Sequence, residues 1–216
     1  PMSAQYGQVS DILRTTTSAV LARTKTPAEG VDEIDARLRP NGSKGLLVTP
    51  LSAYASYQQG EAWLWEHQAL VRARFVAGDP ALGGQFAALR TRVLLQPRDP
   101  ALVAKEVGQM RERWREALDR STPELFDLKQ GRGGAVDIEF IAQQALLSLG
   151  REEAGAPPSE TASLLDWLAS HGALAPERAL ALAHAHARLL DRGLRCALAL
   201  EKRLVPAAEG RELATA

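Results

Sequence analysis

With one cysteine, Cys196, among 216 residues, the chain cannot form an internal disulfide, and a reducing compartment is the simplest setting for it. Aromatic residues make up only 5% of the sequence, while Ala, Leu, Arg and Glu are abundant, a balance that favours helix. No apolar run approaches bilayer length, and the N-terminal region has no apolar signal segment. Neither sign of charge is in excess, Lys+Arg 26 against Asp+Glu 26, which removes any bulk electrostatic case for nucleic acid or a membrane surface as partner. A soluble, cytoplasmic protein is the expectation. The length suits one large domain or two small ones, and is enough to bury a core without covalent staples. Pro1 stands before Met2, reads as a residue left by tag cleavage, and is set aside from fold reasoning.

The pattern of breakers and apolar spacing divides the chain. Residues 9–22 read as a first helix, weakened by Thr15, Thr16 and Thr17. Val31 to Leu38 alternates, with Ile34, Ala36 and Leu38 on one face and Glu33, Asp35 and Arg37 on the other, the signature of a strand. Leu46 to Val48 could add a second. After Pro50 the period becomes helical. Helices are predicted at Leu51 to Gln58 and at Ala62 to Val76, the second stopped by Gly78-Asp79-Pro80; another follows to about Leu95, broken by Pro97-Arg98-Asp99-Pro100, and Ala101 to Leu118 is the next. Further helices are expected at Val136 to Leu149, Thr161 to Ser170 and Pro176 to Leu200. Pro123 to Lys129 and the run Gln130-Gly131-Arg132-Gly133-Gly134 read as a connector, and the residues from Ala207 as a frayed end. The fold class that follows is mainly α, with a small α/β fragment over residues 1–50 and a helical bundle over residues 51–216.

Asp35 is the foremost candidate for chemistry. A carboxylate on a strand is held more tightly than one on a loop, and Arg37 and Arg39 beside it suit phosphate oxygens, whose geometry matches a guanidinium fork. From spacing alone, the wet face of an antiparallel sheet is the favoured reading of the same row of charges.

The stretch Ile34-Asp35-Ala36-Arg37-Leu38-Arg39-Pro40-Asn41-Gly42 resembles the Val-Asp-x-Arg-Leu-Arg-Pro-x-Gly signature of glutamine synthetase adenylyltransferases. The resemblance continues through Glu61-Ala62-Trp63-Leu64-Trp65-Glu66-His67-Gln68-Ala69-Leu70-Val71-Arg72-Ala73-Arg74 and Gly78-Asp79-Pro80. It recurs at Phe126-Asp127-Leu128-Lys129 and Gly133-Gly134-Ala135-Val136-Asp137-Ile138-Glu139-Phe140. The tryptophan-containing block is similar to the adenylylating, C-terminal half of that two-headed enzyme. The resemblance implies transfer of AMP from ATP to a tyrosine of glutamine synthetase, with Mg2+, and contact with the nitrogen-signalling PII protein. It makes residues 1–50 the C-terminal remnant of a nucleotidyltransferase domain. It assigns Asp35 as the third metal-binding and catalytic carboxylate, and Arg37, Arg39 and Lys129 as nucleotide or phosphate contacts.

Two magnesium ions need several carboxylate oxygens at fixed positions. The family takes two carboxylates from a Gly-Ser-x-x-Asp-x-Asp motif upstream of the third, and no such stretch occurs in this chain. The chain alone is therefore expected to be inactive in adenylyl transfer. The alternative is a non-catalytic helical module that binds glutamine synthetase or PII.

Other residues carry competing readings. Glu66 lies on a small-residue face with no basic partner at i+3 or i+4, so its charge awaits a partner from another helix, in a structural ion pair or in a network reaching the nucleotide site. Gly133-Gly134 before a helix either presents backbone donors to a phosphate or serves capping and close packing; Asp137 and Glu139 in the first turn favour the second. Trp63 and Trp65 read as core. The alternating Arg111, Glu112, Arg113, Arg115, Glu116 and Arg120 read as a solvated helix face or a docking surface. His67, and the pair His184 and His186, lack metal-ligand spacing, and Cys196 reads as a small core residue.

Overall fold

A computed structural model describes residues 49–151 and 154–214. The α/β fragment expected over residues 1–50, with its strand, lies almost wholly outside that range. The chain divides into two compact units, residues 1–62 and 63–216. In the first, α1 (Leu51–Gly60) forms as predicted, two residues longer than expected, and closes with the N–H groups of Glu61 and Ala62 on the Tyr57 carbonyl.

The second unit is helical. It contains α2 (Leu64–Val71), α3 (Pro80–Leu95), α4 (Pro100–Leu118), α5 (Ala135–Leu147), α6 (Thr161–Ser170), α7 (Pro176–Leu198) and α8 (Ala207–Ala214), with two short strands, β1 (Leu125–Asp127) and β2 (Leu204–Pro206). The mainly α expectation holds for the described residues. No helix among them is long and apolar enough to cross a membrane.

Asp-Pro pairs punctuate this unit. Asp79 accepts the N–H of Ala81 at 2.8 Å and Asp99 that of Ala101 at 2.9 Å, each with a proline at the first helical position. The side-chain oxygen satisfies an orphan donor, and proline lacks the N–H that would be another. Glu160 caps α6 with its side chain, accepting from Ala162 and Ser163 at 3.0 and 2.7 Å.

The core runs along α5, which packs against α2, α3, α4, α6 and α7. Leu94, Leu95, Leu146, Leu147, Leu165 and Leu168 are wholly buried around it. Burying each such side chain is worth about 1.5–3 kcal/mol, and this is the main stabilising term of the unit.

Three expectations are corrected. The helix predicted to reach Val76 stops at Val71. The buried guanidinium of Arg90 donates to the carbonyls of Leu70 and Val71, the acceptors that residues 74 and 75 would use to continue the helix. Arg90 also donates to the carbonyls of Pro157 and Pro158, so one side chain staples a helix end to a distant loop. Next, part of the expected connector is strand β1, paired antiparallel with β2 in the register Leu125↔Pro206, Phe126↔Val205, Asp127↔Leu204. Finally, the end from Ala207 is ordered as α8, because Gly210 has no side chain and lets the helix backbone rest on the Phe126 ring.

Candidate functional site

Of the four residues named from the sequence, Asp35, Arg37 and Arg39 lie outside the described residues. Lys129 is exposed in the turn that follows β1. The stretch it belongs to, Phe126 to Phe140, forms the best-organised polar cluster of the second unit.

Asp127 shapes the turn. Its carboxylate Oδ1 accepts the N–H groups of Lys129 and Gln130, both at 2.9 Å, and its own N–H donates to Ser121 Oγ at 3.0 Å. The chain then folds back so tightly that a Cβ on Gly131 would lie 2.6 Å from the Asp127 carbonyl oxygen. A Cβ on Gly134 would lie 2.9 Å from the Gly131 carbonyl oxygen. Gly133 sits at φ +86°, in the left-handed region that glycine enters without a steric penalty.

Helix α5 starts at once, and its third residue, Asp137, reaches back to accept the Gly133 N–H at 2.7 Å. That donor is occupied inside the protein, which favours the capping reading of the Gly-Gly pair. Asp137 also receives the Nε of Arg111 and the Nη2 of Arg115, the latter on both oxygens at 2.8 and 3.0 Å. Arg111 further donates to the Gln130 carbonyl at 2.7 Å and lies 5.8 Å from the Phe140 ring centroid.

The solvated-face reading of α4 is thus corrected for two of its arginines. Arg111 and Arg115 are one turn apart and point inward together, and their mutual repulsion is offset by a shared carboxylate. The sequence held a signal for this: an acid in the first turn after Gly-Gly, and two arginines at i,i+4 spacing. Nothing in it tied one to the other.

A second charged group lies on α5. Glu139 pairs with Arg72 Nη1 at 2.9 Å and faces His186 Nε2 at 3.5 Å. Burial pushes the Glu139 carboxyl up, but His186, Arg72 and Lys129 outweigh it and hold the group below its ordinary value. His186 is buried while His184 is exposed, so the two histidines do face different ways. Gln68 and Gln143 link α2 to α5 at 3.1 Å.

On α2, Glu66 accepts the N–H of Trp63 at 2.9 Å, which gives its carboxylate a capping role at the helix start. His67 Nδ1 lies 3.1 Å from an Arg98 nitrogen. The core reading of the tryptophans is overturned: Trp63 is 70% exposed and Trp65 38%, because α2 begins only at Leu64 and leaves Trp63 at its cap. Cys196 is buried, as expected.

Magnesium needs clustered oxygen ligands. Among the described residues no group of three or more His, Cys, Asp or Glu side chains is placed to hold a metal ion. Asp127, Asp137 and Glu139 each spend their oxygens on internal donors.

Comparison with known proteins places this arrangement. The glutamate-ammonia ligase adenylyltransferase family matches residues 13–89, and the GlnD PII-uridylyltransferase family matches residues 103–204. The chain is 48% identical over 182 residues to the bifunctional glutamine synthetase adenylyltransferase/adenylyl-removing enzyme of Stenotrophomonas maltophilia, covering 84% of the chain and 20% of that protein. It is 46% identical over 186 residues to the enzyme of the same name from Xanthomonas axonopodis pv. citri, covering 86% and 20%. For the one from Nitrosococcus oceani the figures are 48% over 171 residues, 77% and 17%. The chain thus spans about a fifth of the length of these relatives. The motif blocks, the helical architecture and these matches together make the chain a relative of one segment of the bifunctional glutamine synthetase adenylyltransferase/adenylyl-removing enzymes.

Proposed function

We propose that this chain works as part of a cytoplasmic enzyme that transfers AMP from ATP to a tyrosine of glutamine synthetase, under the influence of PII. The observation that carries this reading is the division of labour among the motif carboxylates. Asp127, Asp137 and Glu139 are committed to backbone N–H, guanidinium and imidazole neighbours, as structural groups are. Asp35, in the Ile-Asp-Ala-Arg-Leu-Arg-Pro block, is left as the acid for chemistry, with Arg37, Arg39 and Lys129 as phosphate contacts. Magnesium would neutralise phosphate charge in the complete enzyme. Asp35 is this chain's contribution to holding it, and the missing Gly-Ser-x-x-Asp-x-Asp carboxylates would supply the rest. On that account the chain alone is inactive.

The test is an adenylylation assay with ATP, magnesium and glutamine synthetase, read as the mass shift of the modified tyrosine peptide. The chain alone should give no product. The chain joined to an upstream segment bearing the missing motif should give product, and Asp35→Asn should abolish it. Turnover by the chain alone, or full turnover by Asp35→Asn, would sink this reading.

A second reading, a non-catalytic module that binds glutamine synthetase or PII, is favoured by the exposure of Trp63 and Trp65 beside Met110 and Arg113 in a groove of about 250 Å³. Exposed aromatics and arginine are what interface cores use. Calorimetric titration separates the two: the module binds protein and ignores ATP.

A further inference from the structure

Helix α5 has a second face that the core does not use. Ala142, Leu146 and Leu147 are turned inward and wholly buried. Ile141, Gln144, Ala145, Ser148 and Leu149, at the i, i+3, i+4, i+7, i+8 spacing of a single stripe, are half-buried instead. They line a cleft of about 560 Å³, walled on the far side by Ala173 and Leu174 from the turn before α7. That volume falls in the range of about 300–1,000 Å³ occupied by small-molecule sites.

The chemistry of the cleft is one-sided. Its apolar surface comes from Ile141, Ala145, Leu149 and Leu174, and Gln144 and Ser148 add an amide and a hydroxyl. Among the described residues its charged groups are two guanidinium groups, Arg151 and Arg178, with no carboxylate beside them in the lining. Arg151 is oriented by a hydrogen bond from Nη1 to the His171 carbonyl at 3.1 Å, which leaves its other donors open. Among the described residues neither guanidinium has an ion-pair partner. The other arginines around α5 are committed: Arg111 and Arg115 to Asp137, Arg72 to Glu139, and Arg90 to backbone carbonyls. Two guanidinium groups without an ion-pair partner among the described residues, on one apolar cleft, attract an anion, and a guanidinium fork fits an oxyanion bidentately.

We propose that this cleft binds a small organic anion. Its oxyanion head sits between Arg151 and Arg178, and its apolar body lies against Ile141, Ala145, Leu149 and Leu174. Gln144 and Ser148 supply hydrogen bonds along its length. The proposal does not depend on the adenylyl-transfer reading.

Amide-resolved NMR titration of the whole chain tests it with four probes: benzoate, phenyl phosphate, inorganic phosphate and benzyl alcohol. The two aromatic anions should bind saturably in the millimolar range and shift the amides of Ser148, Leu149 and Leu174. The tighter of the two identifies the head group as carboxylate or phosphate. Inorganic phosphate and benzyl alcohol, each with half of the recognition, should bind about tenfold or more weakly. Arg178→Gln and Arg151→Gln should each weaken the aromatic anion by about tenfold, and Arg178→Gln should leave the melting temperature unchanged because its side chain is exposed. Ala145→Trp, which fills the cleft, should abolish binding. Absence of saturation with both aromatic anions, benzyl alcohol binding as tightly as benzoate, or unaltered affinity in Arg178→Gln would each overturn the proposal.

Discussion

Arg115 on α4 grips Asp137 on α5 with one guanidinium nitrogen on both carboxylate oxygens, at 2.8 and 3.0 Å. Arg111, one turn earlier, donates to the same carboxylate and is only 5% exposed. The pairing fixes the turn of the Gly-Gly segment, the start of α5 and the middle of α4 at one point.

Asp137→Ala leaves Arg111 buried without a carboxylate, and breaking a buried pair in this way costs about 3–5 kcal/mol. We expect about 3 kcal/mol, the low end, because the Asp137 side chain keeps 17% of its exposure. Arg113→Ala, on the exposed side of the same helix, should stay within about 0.5 kcal/mol. Urea unfolding midpoints measure both. Equal effects would mean that the Asp137 cluster contributes nothing special.

Gly210→Ala should destabilise, although alanine is a better helix former than glycine by about 1 kcal/mol. The added Cβ would lie 2.3 to 2.5 Å from Phe126 side-chain atoms, and overpacking of this kind costs about 1–3 kcal/mol. Phe126→Leu in the same chain should recover part of the loss. Thermal melts of the two single variants and the double variant give the coupling. A stabilised Gly210→Ala, or strict additivity, would show that α8 does not rest on β1.

Glu139 sets a pH dependence whose sign follows from its depressed pKa. The folded protein holds the carboxylate below the ordinary value of 4.5, so the unfolded chain binds more protons in the window from about that pH downward. The Glu139 contribution is fully present above the unfolded value and is lost as pH falls through the folded one. Unfolding free energy should therefore fall more steeply below about pH 4.5 in the native chain than in Glu139→Gln. Urea titrations across pH 3–6 check this. Parallel curves for the two proteins would remove Glu139 from the acid response.

The local rules that the sequence writes into neighbouring residues were legible. The Asp79-Pro80 and Asp99-Pro100 pairs read as breaks, and in the structure each also starts a helix, because a side-chain acceptor and a missing N–H act within one turn. Thr161 to Ser170 formed as predicted, held by Glu160 at its cap. The motif blocks pointed to the family that the comparisons then matched.

What the tertiary structure alone decided were the partnerships between residues far apart in the chain. Arg90 ends α2 because its guanidinium takes the carbonyls of Leu70 and Val71 across a helix–helix contact. Leu204–Pro206 became a strand because Leu125–Asp127 offered it a ladder, and a ladder exists only once both segments meet. The arginines of α4, alternating in sign with their neighbours, look solvated in one dimension. Asp137 turns two of them inward, since a buried guanidinium needs acceptors for its donors and a carboxylate supplies them here. The sequence by itself determined where capped helices such as Thr161–Ser170 begin and which family the chain resembles, because those signals are local and short-range. Which charges are paired and where open guanidinium groups gather on one cleft depended on packing, which brings together residues that no spacing rule connects.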